Sequence, residues 1–207
     1  MCKRILPQPI PLKKRKDLFE EITRDKRTQY NTFNLYFEDE SRFGLFTRNG
    51  RALTAKGIKP VCPYQHKFEN LYLFGAFSAI NGNSLLLEMP YCDADTFQIF
   101  LDNLSELNKE EFKIVILDNG AFHKAKRLTI PQNIGFIFLP AYSPELNPAE
   151  QIWRLLKKAI CNRAFTTLDE LSDFLCAIIQ KTITIDSVKS ITGYQFFLSA
   201  FQTIFDL

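Results

Sequence analysis

The apolar run Phe112–Leu117, which stops abruptly at Asp118-Asn119-Gly120, constrains the fold more than any other stretch of the 207 residues. It is too short for a typical helix and too apolar for a half-exposed strand, so it reads as a central strand buried on both faces. Such a strand needs partners beside it and helices over it. Strand partners are at hand: Phe33–Phe37 runs into Glu38-Asp39-Glu40, Leu71–Ile80 and Ser84–Met89 flank the turn Asn81-Gly82-Asn83, and Ile134–Leu139 ends at Pro140. Phe43–Phe46 and Ala52–Thr54 flank Asn49-Gly50, which predicts a further small hairpin, followed by a basic, proline-containing loop over Lys56–Asn70.

Helical patterns fill much of the rest. Leu12–Tyr30 reads as a charged surface helix, Asp93 and Asp95 open a helix to Leu107, and Asn147-Pro148 open one to Ile160. Thr167 and Glu170 form a capping box for Leu168–Thr182, and the last 25 residues are amphipathic. Ala121–Leu128 is a short helix or turn, and residues 1–12 are punctuated by proline and irregular. The order predicts an α/β fold with a mixed central sheet, three antiparallel strands plus parallel strands, flanked by helices. We divide it into a basic extension (1–30), a sheet-centred domain (31–165) and a helical segment (166–207) packed on that domain.

The net charge is only +3, but it is unevenly placed. Residues 1–30 carry nine Lys/Arg against four Asp/Glu, residues 41–70 carry six against one, and Arg154–Arg163 has four and no acid. Basic blocks suit a polyanion, although solvated faces look the same in sequence. Five scattered cysteines without CxxC spacing suggest neither a zinc site nor a disulfide framework, and free thiols fit a reducing cytoplasm. No stretch reads as a signal peptide or a membrane helix, so a cytoplasmic chain is expected.

Asp39 is expected at the end of the first core strand and Asp118 at the end of Phe112–Leu117, which is where open α/β sheets place ligands. Glu150 lies in the first turn of a later helix and can reach the same edge. Three converging carboxylates repel one another unless a cation lies between them, and hard oxygen ligands suit Mg²⁺ or Mn²⁺. Each acid also has a plainer reading. Asp39 is a loop acid, Asp118-Asn119-Gly120 an ordinary turn, and Glu150 a capping residue three after Asn147.

The motifs are more specific together. Tyr36-Phe37-Glu38-Asp39-Glu40-Ser41-Arg42-Phe43-Gly44, Ile116-Leu117-Asp118-Asn119-Gly120-Ala121-Phe122-His123, and the block Leu139–Glu150 with Trp153 resemble the three catalytic blocks of the IS630/Tc1/mariner transposases. The resemblance spans roughly 35–158. It implies an RNase H-like fold, a DDE triad of Asp39, Asp118 and Glu150, two divalent ions, and cleavage and strand transfer of DNA at transposon ends and target. It further implies assembly as a homodimer on DNA. The sequence departs from the family pattern in three places. Only 31 residues (119–149) separate Asp118 from Glu150, a few fewer than usual, with the shortfall expected in the helix between Ala121 and Ile134. Position 120 is glycine where alanine is more usual, and position 141 is alanine where proline is common. About 30 residues precede the first catalytic strand, without a helix-turn-helix pair, so end recognition is expected from a separate helix-turn-helix subunit.

Around the triad, Asn119 and His123 are candidates to position DNA phosphate, water or the second carboxylate, His123 being equally readable as a surface residue. Arg154, Lys157 and Lys158 follow Glu150 at helical spacing, with Arg154 and Lys158 expected on its face. Arg48, Arg51, Lys56 and Lys59 lie in the segment that the resemblance assigns to holding DNA or the second subunit. Glu40 is expected to face away from the site, and Trp153 to be core. Two rival readings stay open here: another RNase H-like nuclease, and a decayed or repurposed DNA-binding fragment without turnover.

Overall fold

The computed structural model describes residues 11–141 and 143–205; of the expected irregular stretch 1–12, residues 1–10 lie outside them and Leu12 already begins a helix. Five strands form one sheet in the order β3-β2-β1-β4-β5, comprising β1 (Thr32–Gly44), β2 (Asn70–Ser78), β3 (Ser84–Met89), β4 (Glu111–Leu117) and β5 (Ile134–Phe138). β1, β2 and β3 are antiparallel, whereas β4 and β5 run parallel to β1. The mixed sheet is therefore as expected. Every residue of β4 is buried, as its position next to the central strand requires.

Side chains alternate across the sheet and generate two cores. Leu35, Phe37, Phe43, Ile114, Ile116 and Ile137 point to one face. That face is covered by α1 (Leu12–Thr23), α3 (Ala149–Ile160), α4 (Leu168–Thr182), α5 (Ile185–Thr192) and α6 (Gln195–Phe205). Tyr36, Phe74, Val115 and Leu117 point to the other face, under α2 (Ala94–Glu106), where Phe97, Phe100, Leu101 and Leu104 form the apolar stripe. α1 packs on α6 through an edge-on contact of Phe19 with Phe201, 5.8 Å between ring centres.

Local signals fixed several helix starts. Asp93 caps α2, accepting from the Asp95 and Thr96 backbone N–H groups, and the Thr96 side chain completes the box. Thr167 caps α4 through the Glu170 N–H, but the Glu170 carboxylate accepts from Thr166 N–H instead of closing on Thr167. The interval 121–133 holds one short 3-10 turn, Phe122–Lys124, and no longer helix.

Two expectations fail. No hairpin forms around Asn49-Gly50. β1 is 13 residues long and pairs instead with β2 as far as Gly44↔Asn70, and the pairing continues loosely through Leu45 N–H to Glu69 O and Thr47 N–H to Gln65 O. Long-range pairing with a buried strand outweighs a local turn preference. Gly50 N–H donates to Asn162 Oδ1 at 2.9 Å, so the expected turn docks on the end of α3. Asp39, moreover, is inside β1 rather than at its end.

Gly75, directly opposite Asp39 on β2, sets how α3 packs. A Cβ there would lie 2.7 Å from both Phe77 and the Trp153 ring, so the missing side chain is the space the indole fills. Gly75→Ala is expected to destabilise the protein by about 1–3 kcal/mol through overpacking. Denaturant unfolding measures this, and an unchanged midpoint would show that the strand–helix contact can relax freely.

Candidate active site

The parallel register pairs Phe37 with Ile116. Asp39 and Asp118 are each two residues further along their strands, so both side chains emerge together beyond the last paired rung. Asp39 points to the α3 face, in line with Leu35 and Phe37. Trp153 on α3 is buried, lies edge-on to Phe77 and Phe43, and donates its indole N–H to Asp39 Oδ2 at 2.9 Å. Reading Trp153 as core is right about its burial but misses this hydrogen bond. A lone tryptophan three residues after a candidate acid was the available signal.

Asn147 fastens the start of the helix that carries Glu150. Its side chain is buried, donates to Glu38 O at 2.8 Å and accepts from Ala149 N–H at 3.2 Å, so one amide fastens the start of α3 to β1. Glu150 follows one turn later. Its side chain is exposed and lines a groove of about 410 Å³ with Arg48, Trp153, Arg154 and Lys157. Pro144 joins that groove to a second, also about 410 Å³, lined by Asp118, Asn119, Gly120 and Ser143.

Asp39 and Asp118 have opposite electrostatic surroundings. Burial holds the Asp39 carboxyl well above its ordinary range, and the charges of Glu40, Glu150 and Asp118 push it further, against the Glu40 backbone N–H. Asp118 behaves in the opposite way. His123, followed by the Gly120 N–H at 2.7 Å, holds it below its usual value despite some burial. Both contacts are to Asp118 Oδ1, and among the described residues none hydrogen-bonds Oδ2. Gly120 also makes room, since a Cβ there would stand 3.0 Å from both Asp118 Oδ1 and His123 Nδ1.

His123 is not at the surface. It is buried at 3% exposure, between the Phe97 and Phe122 rings, with Nε2 2.8 Å from Glu40 Oε1 and Nδ1 3.0 Å from Asp118 Oδ1. Its ring nitrogens are thus turned to acids, which leaves the third of its expected roles, positioning the second carboxylate, and not contact with DNA phosphate. Burial works against its charged form, but Asp118 and then Glu40 outweigh it and hold its pKa at about 9. Glu40 does face away from Asp39, as alternation requires. Glu38, on that same face, is fully buried; neither carboxylate oxygen is hydrogen-bonded, and burial, then Glu40, hold it well above its ordinary value.

The expected cations separate into groups. Arg48, Arg154 and Lys157 line the groove of Glu150, whereas Lys158 lines the adjacent cleft with Arg154, Leu155 and Tyr194. The expectation that Lys158 shares the face of Glu150 is therefore corrected: at 3.6 residues per turn, position i+7 returns closer to the starting face than i+8. Arg51 and Lys56 are exposed on the long loop, away from these grooves. The Asn119 side chain donates to Leu139 O and accepts from Lys124, tying the end of β4 to the end of β5.

Comparison with known proteins agrees with this geometry. A family model described as DDE superfamily endonuclease matches residues 34–172. The uncharacterized protein y4pE/y4sA of Sinorhizobium fredii is 33% identical over 117 residues, 54% of this chain and 84% of that protein. Among solved structures, the Mos1 transposase paired-end complex with left transposon end is similar in fold at a TM-score of 0.61 and 14% identity, covering 97% of this chain and 66% of that one. The catalytic domain of Mos1 mariner transposase is similar at a TM-score of 0.55 and 15% identity, with 94% and 97% covered. The chain thus spans just under two thirds of the Mos1 chain in the complex and nearly all of the isolated Mos1 domain.

Glu38 and His123 have a measurable consequence. A carboxyl with a raised pKa contributes stability that is complete below its ordinary value of 4.5 and is lost as pH rises through the raised one. The His123 contribution is complete below 6.5 and is lost as pH rises through about 9. Metal-free protein should therefore lose stability as pH rises from about 4.5 through about 9, and Glu38→Gln should lose less. Urea midpoints across that window in EDTA would give equal slopes if Glu38 were not a source of the loss.

Proposed function

The chain belongs to the DDE superfamily endonuclease family, and we propose that it is the catalytic domain of a DNA transposase of IS630 type, with Asp39, Asp118 and Glu150 as the metal-binding catalytic triad. One observation supports this reading: Asp39 and Asp118 each stand two residues past the last paired rung of adjacent parallel strands, and the helix that carries Glu150 is fastened to the Asp39 strand through Asn147 and Trp153. Carboxylates held together in this way fit a divalent cation, which relieves their repulsion. Asp118 Oδ2, Asp39 and Glu150 would hold two ions, Mg²⁺ or Mn²⁺. Such ions, when bound, activate a water or a 3′-hydroxyl and stabilise the leaving oxygen of a phosphodiester.

The protein's own part is to position these groups. Trp153 fixes Asp39 through Oδ2, and His123 with the Gly120 N–H fixes Asp118 through Oδ1. Arg48, Arg154 and Lys157 bring positive charge to the groove of Glu150, where a DNA phosphate would lie. Asn119, already bonded on both sides, shapes the groove of Asp118. Arg51, Lys56 and Lys158 would add phosphate contacts outside the two grooves, with little sequence choice. The partners are transposon-end and target DNA, a second copy of the chain, and a separate helix-turn-helix subunit that selects the ends. Among the described residues no helix is long and apolar enough to cross a membrane. The expected setting is the bacterial cytoplasm, at the nucleoid.

The test is cleavage and end-joining of labelled transposon-end DNA with Mn²⁺. Asp39→Asn, Asp118→Asn and Glu150→Gln should each lower the rate by about a hundredfold or more, because metal-held charge stabilisation amounts to several kcal/mol. Cleavage without joining would favour a different RNase H-like nuclease. Equal rates in native protein and all three variants would remove the triad.

A further inference from the structure

Residues 41–68 hold six Lys/Arg and no Asp/Glu, yet the surface they form next to β1 is not simply basic. Where the chain past β1 runs beside the chain entering β2, the inner side carries Leu45 and Thr47, both buried. The outer side carries Phe46, Tyr64, His66 and Phe68. Phe46 is 43% exposed, Tyr64 66% and Phe68 70%. The four rings touch one another in a continuous patch. Phe46 stacks on Phe68 at 5.6 Å, Tyr64 lies parallel to His66, and His66 meets Phe68 edge-on at 4.6 Å. An exposed aromatic patch of this kind calls for an occupant.

Its surroundings select that occupant. Phe46 also forms one wall of a groove of about 400 Å³ whose charged lining is Arg42 and Arg48, without an acid. Flat apolar rings beside a cation-lined groove match a strand with unpaired bases, which offers π-faces on one side and phosphates on the other. A duplex keeps its bases stacked inside and offers the rings nothing to stack against, and an acidic protein surface would satisfy the arginines but not the rings. We propose that this face binds unpaired nucleotides of a DNA strand, with bases stacking on Tyr64, His66 and Phe68 and phosphates held by Arg42 and Arg48. The choice of DNA rests on the proposed function. Arg48 lines both this groove and that of Glu150, but Tyr64, His66 and Phe68 line neither, so substitutions at the rings test this face alone.

Binding of a labelled oligothymidylate of about 20 nucleotides, and of a duplex of equal length, is measured by anisotropy with the full chain in EDTA, where cleavage does not intervene. Two double variants are compared: Tyr64→Ala with Phe68→Ala, and Tyr64→Leu with Phe68→Leu, the second of which keeps apolar bulk but removes the flat faces. Both positions are exposed, so the fold should persist, as circular dichroism verifies. Both variants should lose about tenfold in single-strand affinity and change duplex affinity by less than about twofold. The proposal is overturned if the leucine pair binds the single strand as the native chain does, or if the alanine pair loses nothing. It is equally overturned if the substitutions weaken duplex binding as much as single-strand binding, or if they abolish self-association in sedimentation while leaving oligonucleotide affinity intact, which would make the patch a protein contact.

Discussion

The parallel pairing of β1 with β4 is the constraint on which the rest of this structure depends. The register that sets Phe37 beside Ile116 sends Asp39 and Asp118 out together past the last rung. A slip of one residue would turn one of the two aspartates to the opposite face of the sheet. That register is secured by burial on both sides, since β4 has no exposed residue and Asn34–Phe37, four of the six β1 residues paired with it, are buried as well. The chemistry thus rests on a core packed for ordinary hydrophobic reasons.

Around that pairing, polar contacts are used sparingly and at the points where position matters. Asn147 and Trp153 tie α3 to β1 at Glu38 and Asp39, on neighbouring residues, and so set the approach of Glu150. On the opposite face His123 spans from β1 to the end of β4 through Glu40 and Asp118. β1 is therefore held from both faces within three consecutive residues, Glu38, Asp39 and Glu40. Within the short interval between Asp118 and Glu150, residues 121–133 carry one 3-10 turn, and α3 is fastened by its own bonds to β1.

Much of this was legible in the sequence because local rules and global packing agree. Phe112–Leu117, the Asn81-Gly82-Asn83 turn, the Asp93 cap and the Thr167 cap all adopt the predicted structure. Asn49-Gly50 did not make its hairpin because β2, distant in sequence, offered β1 a buried partner. A convergence of Asp39, Asp118 and Glu150 is an expectation from strand and helix ends. The supports were not legible: no periodicity reveals that Trp153 spends its indole N–H on Asp39, or that His123 is buried between two acids, because both depend on which faces meet in three dimensions. The family match spans residues 34–172, which contain the same motifs.

The central claim is that Asp39, Asp118 and Glu150 form a divalent-metal site. Anomalous diffraction from crystals soaked in Mn²⁺ tests it without reference to activity. The account predicts density for at least one ion bonded to carboxylate oxygens of both Asp39 and Asp118, at about 2.0–2.3 Å, with Glu150 directed towards it. Density confined to the cluster of Glu38, Glu40 and His123 on the other face of β1, whose ligand atoms lie within 4.8 Å of one another, would contradict the claim and move the metal to the opposite side of the strand.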